Sequence, residues 1–219
     1  MLSPAPRTTP PRCTLLGLLR HGPTDWNREH RLQGRRDLPL ATDALARLQR
    51  RRLPAIPRFS EVLCSPLRRA RDTASALGLN FSIEPVLVEM DWGDYEGRRV
   101  SDLRAELGAE FAANEDRGLD MMPPGGESPR HVQQRLLPLL ARLDRPTLAV
   151  THKGVIRAAL ALAHDWPMLG RSPVRLDWEA LQVMLLVDGR LRPWCYNLPL
   201  AWRPDPGRRV ETERDGVEL

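Results

Sequence analysis

Two short apolar runs constrain this chain more than anything else in it. Thr14 to Leu19 runs into Arg20-His21-Gly22, and Pro146 to Thr151 runs into His152-Lys153-Gly154. Apolar runs of this length, bounded by Gly and Pro, read as buried strands. Between them lie stretches of helical period, and strands alternating with helices build a mostly parallel sheet with helices on both faces. Parallel strands finish on one edge, and that is where open α/β sheets bind ligands. The expectation is an α/β three-layer sandwich that delivers His21 and His152 to the same edge.

The rest of the chain fills in this plan. A polar loop spans 21–40, and a helix is predicted from Thr42 to Leu53, stopped by Pro54 and Pro57. Glu61 to Ser65 reads as a second strand, and Ser65-Pro66 has the form of an N-cap and first helical position. That helix carries Arg69 in its first turn and ends at Gly78. A third strand is expected over Ile83 to Val88, leading into an acidic loop that begins at Glu89. A helix over Arg99 to Asn114 places Val100, Leu103, Leu107 and Phe111 on one side. Ser128-Pro129 repeats the helix-start pattern, with Pro138 expected to kink the helix that follows. Val155 to Ala163 is apolar nearly all round, as a buried helix is. Asp188-Gly189 between two apolar runs is a hairpin turn. Residues 1–13 are expected to be a flexible leader, 14–198 a single domain, and 199–219 a disordered tail.

Composition removes several classes of function. No apolar run is long enough to span a bilayer, and the N-terminus lacks a secretory pattern. Three scattered cysteines fit neither a disulfide framework nor a metal knuckle, which suits a reducing, cytoplasmic setting. The net charge is +5, but the arginines are scattered and the aromatics too few for a nucleic-acid platform. A basic cleft that concentrates a small phosphorylated substrate explains the charge equally well. Neither a metal-binding nor a nucleotide-binding loop motif is present. Oligomeric state is not readable from the sequence, with a homodimer as one option.

The strand ends bring two histidines, Arg20, Arg69 and a carboxylate toward one edge. A phosphoryl group needs bidentate arginines and N–H donors. A neutral imidazole can attack phosphorus and divide a hard transfer into two easier steps. A carboxylic acid can protonate the leaving oxygen and later deprotonate water.

Six motifs then fall in one order: Leu-Arg-His-Gly-Pro-Thr-Asp-Trp-Asn (19–27), Leu-Gln-Gly-Arg-Arg-Asp-Leu-Pro-Leu (32–40), Ser-Pro-Leu-Arg-Arg-Ala-Arg-Asp-Thr-Ala (65–74), Glu-Met-Asp-Trp-Gly-Asp-Tyr-Glu-Gly (89–97), Pro-Gly-Gly-Glu-Ser (124–128) and Val-Thr-His-Lys-Gly-Val-Ile-Arg (150–157). In these the chain resembles the histidine phosphatase superfamily, the phosphoglycerate-mutase-like group, over roughly Leu15 to Leu198. The resemblance implies that His21 is the nucleophile and forms a phosphohistidine. It implies that Arg20, Arg69 and His152 cradle the phosphate, that Asn27 adds a side-chain hydrogen bond, and that Glu89 is the acid/base residue. Gln33 and Gly34 fall in the segment near the substrate. No metal and no organic cofactor is implied.

Two departures stand out. Where relatives usually have Ser-His-Gly-Gly, this chain has Thr151-His152-Lys153-Gly154, so Lys153 either adds a cation beside the pocket or points to solvent. Ala41-Thr42-Asp43-Ala44 differs from the usual first-helix start. The stretch Glu89-Met90-Asp91-Trp92-Gly93 has the form typical of the phosphatase branch, which favours hydrolysis over mutase-type transfer. Mutase activity and a catalytically idle phosphate-binding scaffold remain the alternatives. Narrower specificity within the phosphatase branch stays open.

Overall fold

Strand β1 (Cys13–Arg20) sits inside a six-stranded sheet and explains its layering. Successive side chains of a strand point to opposite faces. Leu16 and Leu18 enter one buried cluster, while Leu19 enters the other. The computed structural model describes residues 12–203. Within it follow α1 (Asp25–Arg28), α2 (Thr42–Gln49), β2 (Arg51–Arg52), β3 (Glu61–Cys64), α3 (Arg68–Ala76) and β4 (Ser82–Ile83). Then come α4 (Val100–Glu115), α5 (Pro129–Arg142), β5 (Thr147–Thr151), α6 (Lys153–His164), β6 (Leu181–Val187), β7 (Arg190–Leu198) and β8 (Ala201–Trp202).

The strand order is β4-β3-β5-β1-β6-β7. β1 pairs in parallel with β5, β5 with β3 and β3 with β4, while β6 runs against both β1 and β7. Helices α5 and α6 pack their leucines and alanines with Leu16 and Leu18 on one face. Ala70, Ala74 and Leu77, in and just after α3, pack with Leu19, Leu148 and Val150 on the other. This is the three-layer arrangement expected, with a mostly parallel sheet. β5 is buried along its whole length, so it reads as a continuous apolar run, as strands covered on both faces do.

Several boundaries move. α2 ends at Gln49, not Leu53, because Arg51–Arg52 leave it to pair antiparallel with Ala201–Trp202. That same pairing makes the start of the expected disordered tail a strand; residues 204–219 lie outside the described residues. At the other end, Cys13 belongs to β1 and not to a leader, and residues 1–11 also lie outside. The third strand is only Ser82–Ile83, since Pro85 offers no N–H to a ladder and opens a 3-10 turn over Pro85–Leu87. The loop after β1 holds the short helix α1, built on a capping box between Thr24 and Asn27. α4 is interrupted at Gly108, whose φ of 50° and ψ of −119° are not helical. Pro138 stands inside α5, which is nonetheless one helix from Pro129 to Arg142. Ser65 does not cap α3: the N-cap is Leu67 and makes no side-chain bond. The hydroxyl of Ser65 accepts from the N–H of Leu67 itself at 3.3 Å.

Candidate active site

The carboxyl ends of β1, β3 and β5 deliver Arg20-His21, Ser65 and His152 to one edge. The backbone fixes them there: the His21 N–H donates to the Thr151 carbonyl, and the Ser65 N–H to that of Val150. Thr151 in turn donates its hydroxyl to Leu87 O over 2.8 Å, tying the end of β5 to the segment that leads into Glu89.

His21 is 4% exposed. Its Nδ1 lies 2.7 Å from its neighbour's carbonyl, Gly22 O, which can only accept. The proton therefore sits on Nδ1, and Nε2 keeps its lone pair. The Arg69 Nε–H points at that lone pair over 3.3 Å. Burial, and then the charges of Arg20 and Arg69, hold the His21 pKa well below 6.5. The ring is thus a neutral base with a defined tautomer, next to two cations.

Arg69 is fully buried. Its two terminal nitrogens donate to Arg36 O at 2.6 Å and Gly34 O at 2.7 Å. These carbonyls fix the guanidinium plane without neutralising it. Arg20, partly buried, carries an Nε with no partner among the described residues. Burial lowers the pKa of both arginines, partly offset by Glu89.

His152 is fully buried, its ring centroid 5.1 Å from that of His21. Nε2 meets Ser65 Oγ at 2.7 Å, and Nδ1 is buried with no partner among the described residues. Burial is the main cause that holds its pKa well below 6.5, followed by Arg69 and His21. Glu89 is held by backbone amides: Met90 N–H at 2.8 Å and Gly154 N–H at 3.0 Å, both to Oε1. A Cβ on residue 154 would stand 2.4 Å from that oxygen, so this close approach requires glycine.

The remaining expected residues meet the same space. His21, Asn27, Gln33, Gly34, Arg69 and Glu89 all line one cleft of about 1150 Å³, as do Arg20 and Lys153. Asn27 Oδ1 accepts from Thr24 N–H and its hydroxyl at 3.0 and 3.2 Å, so the oxygen is spent on the cap. Its amide nitrogen makes no hydrogen bond among the described residues. Gln33 Oε1 is buried and has no partner among the described residues. Gly34 acts through its backbone, with φ of 51° and the carbonyl that holds Arg69. His152 packs directly beside His21 and exposes no surface of its own.

Three contributors were not legible beforehand. Ser65, which the Ser-Pro pattern marks as a helix cap, instead orients His152. Arg135, on α5, donates to Val88 O at 2.8 Å and to Glu127, bracing the segment before Glu89. Trp178 stands close to both Arg20 and Lys153, its ring centroid 5.7 and 5.4 Å from their charged groups. Only the Ser-Pro-Leu motif carried any hint of the first, and the other two sit in unremarkable sequence.

A lone pair on a buried neutral imidazole, flanked by guanidinium groups and a backbone-held carboxylate, is suited to a tetrahedral oxyanion that must be attacked. The comparisons agree with that class. Residues 16–197 match the family model of the histidine phosphatase superfamily (branch 1). A glucosyl-3-phosphoglycerate phosphatase of Mycobacterium tuberculosis is 35% identical, covering 89% of this chain and 94% of that one. A 2,3-bisphosphoglycerate-dependent phosphoglycerate mutase of Bradyrhizobium is 31% identical over 92% and 97%. The solved alpha-ribazole phosphatase of Shigella flexneri superposes with a TM-score of 0.69 at 28% identity, covering 84% and 96%. The chain belongs to the histidine phosphatase superfamily and is an enzyme of its phosphatase type. Among the described residues no helix is long and apolar enough to cross a membrane.

Proposed function

We propose that this chain hydrolyses a small phosphorylated metabolite by passing its phosphoryl group first to His21 and then to water. One observation carries the reading: the His21 Nε2 lone pair, fixed by the Nδ1 bond to Gly22 O and faced by Arg69. In the first step Nε2 bonds to phosphorus as the ester P–O bond breaks, and the Glu89 carboxylic acid gives its proton to the leaving oxygen. In the second step the Glu89 carboxylate takes a proton from water, the water oxygen bonds to phosphorus, and the P–Nε2 bond breaks. Phosphate leaves, and the lone pair and the proton on Glu89 are restored.

Arg20 and Arg69 stabilise the charge on the equatorial oxygens. His152 adds an N–H from Nδ1, with the Ser65 hydroxyl, which accepts from Leu67 N–H, giving its own proton to His152 Nε2. The Asn27 amide nitrogen supplies a further donor. Gln33 and Gly34 shape the substrate side of the cleft. The free thiols of Cys13, Cys64 and Cys195 support a cytoplasmic setting.

Relatives named as phosphatases favour hydrolysis, and relatives named as mutases keep transfer to a second organic acceptor as the other reading. The test is release of inorganic phosphate from an aryl phosphate in excess chelator, wild type beside His21→Ala, with acid-labile, base-stable phosphate sought on the quenched protein. Turnover and labelling that both vanish in His21→Ala are expected. Turnover that survives in the variant would overturn the proposal.

A further inference from the structure

The cleft is lined by more positive charge than one phosphoryl group needs. Some of it is already neutralised. Arg28 pairs with Asp43, Arg31 with Glu29 at 2.6 Å and Arg104 with Glu115 at 2.6 Å. Arg20 and Arg69 belong to the phosphoryl cradle. Lys153 and Arg157, one turn apart on α6, line the same cleft and have no ion pair among the described residues.

Lys153 is the more telling of the two. It is the first residue of α6, immediately after His152. The first turn of a helix carries a partial positive charge and disfavours a cation. Arg20 and Arg157 add like charge, and Glu89 is the carboxylate whose charge offsets it. Partial desolvation and these two arginines draw the Lys153 pKa below its usual value. Lys153 lines the cleft with no ion pair among the described residues, which leaves its charge available to a ligand. Lys153 is exposed, and its charged end stands 5.4 Å from the centre of the Trp178 ring, which Arg20 approaches at 5.7 Å. Trp178 thus holds Lys153 near the cradle arginine.

We propose that Lys153 recognises a second anionic group, a carboxylate or a further phosphate, on the substrate whose phosphoryl group reaches His21. The assignment rests on the phosphatase reading above. It narrows the substrate class to phosphomonoesters with a second negative group near the ester.

The test uses the full chain and two matched pairs of esters. One pair is 3-phosphoglycerate and glycerol 3-phosphate, which differ in a carboxylate. The other is the bisphosphate and the monophosphate of propane-1,3-diol, which differ in a phosphate. Phosphate release gives kcat and KM for wild type, Lys153→Gln and Lys153→Arg. Wild type is expected to favour the more anionic member of one pair by about tenfold in kcat/KM, the scale of one charge-assisted hydrogen bond. Which pair shows it separates carboxylate from phosphate. Lys153→Gln is expected to abolish the ratio through KM, and Lys153→Arg to restore most of it. No preference in either pair, or a preference that survives Lys153→Gln, overturns the assignment while leaving the phosphatase reading intact. No release from any of the four esters sinks the phosphatase reading and takes the assignment with it.

Discussion

Ser65 Oγ lies 2.7 Å from Nε2 of His152 and also accepts the N–H of Leu67. The serine that opens the turn after β3 therefore holds the ring of the histidine at the end of β5. Ser65→Ala leaves Nε2 buried with no partner, beside an Nδ1 that already has none among the described residues. An unmade buried hydrogen bond costs about 1–3 kcal/mol. The variant is expected to lose about that much stability in urea melts and to lose activity while keeping its fold. Ser65→Thr, which keeps the hydroxyl, should retain more activity than Ser65→Ala; equal loss in both would detach Ser65 from His152.

The two histidines define a pH dependence. Both have pKa values held well below 6.5 by burial and neighbouring arginines. In the unfolded chain each takes up its proton near 6.5, whereas in the folded protein each does so only at lower pH. Their contribution is thus fully present above 6.5 and falls as the pH drops toward the folded values. Each histidine contributes a slope of about 1.4 kcal/mol per pH unit inside that window. Stability curves at successive pH values check the slope, and His152→Gln should flatten it. The acid limb of kcat/KM should likewise lie below 6.5. A limb at 6.5 would mean that His21 titrates as a solvated histidine.

Gly34 holds Arg69 with its carbonyl at a φ of 51°, and an added Cβ would meet the Glu96 carboxylate at 1.8 Å. Gly34→Ala is expected to cost at least about 1 kcal/mol and to displace Arg69, lowering kcat. Gly170 provides the control, because its φ is 63° and nothing lies within 4 Å of its Cβ position. Gly170→Ala should therefore show the strain penalty without the loss of rate. If the two variants behave alike in rate, the carbonyl of Gly34 does not position Arg69.

The sequence made the strand ends legible because each apolar run stops abruptly at a histidine, and parallel pairing leaves those ends on one edge. Arg20, His21, Arg69 and Glu89 followed from that geometry and from the family resemblance. What stayed hidden depended on contacts between distant segments. Ser65 looked like a cap because Ser-Pro is a helix-start signal, and only the approach of β5 shows that its hydroxyl faces His152. β8 is unreadable because Ala201–Trp202 comes just after Pro199-Leu200 and becomes a strand only against Arg51–Arg52. Arg135 gave no signal, since a half-buried arginine that binds backbone carbonyls looks in sequence like any solvated one.

Asn27 separates two roles within one side chain. Its Oδ1 accepts from Thr24 and closes the capping box of α1, while its amide nitrogen makes no hydrogen bond among the described residues. Asn27→Asp keeps an acceptor for the cap but removes the donor and places a negative charge against an incoming phosphoryl group. Asn27→Ala removes both. Asn27→Ala breaks the return half of the capping box while Thr24 still caps, so it should melt slightly lower than Asn27→Asp. The order should reverse in catalysis, with Asn27→Asp the poorer enzyme because repulsion is added to the lost bond. Thermal melts and KM for an aryl phosphate, measured on both variants, check the two orders independently. If Asn27→Asp is the better enzyme, the amide nitrogen is not a phosphate donor and Asn27 serves the fold alone.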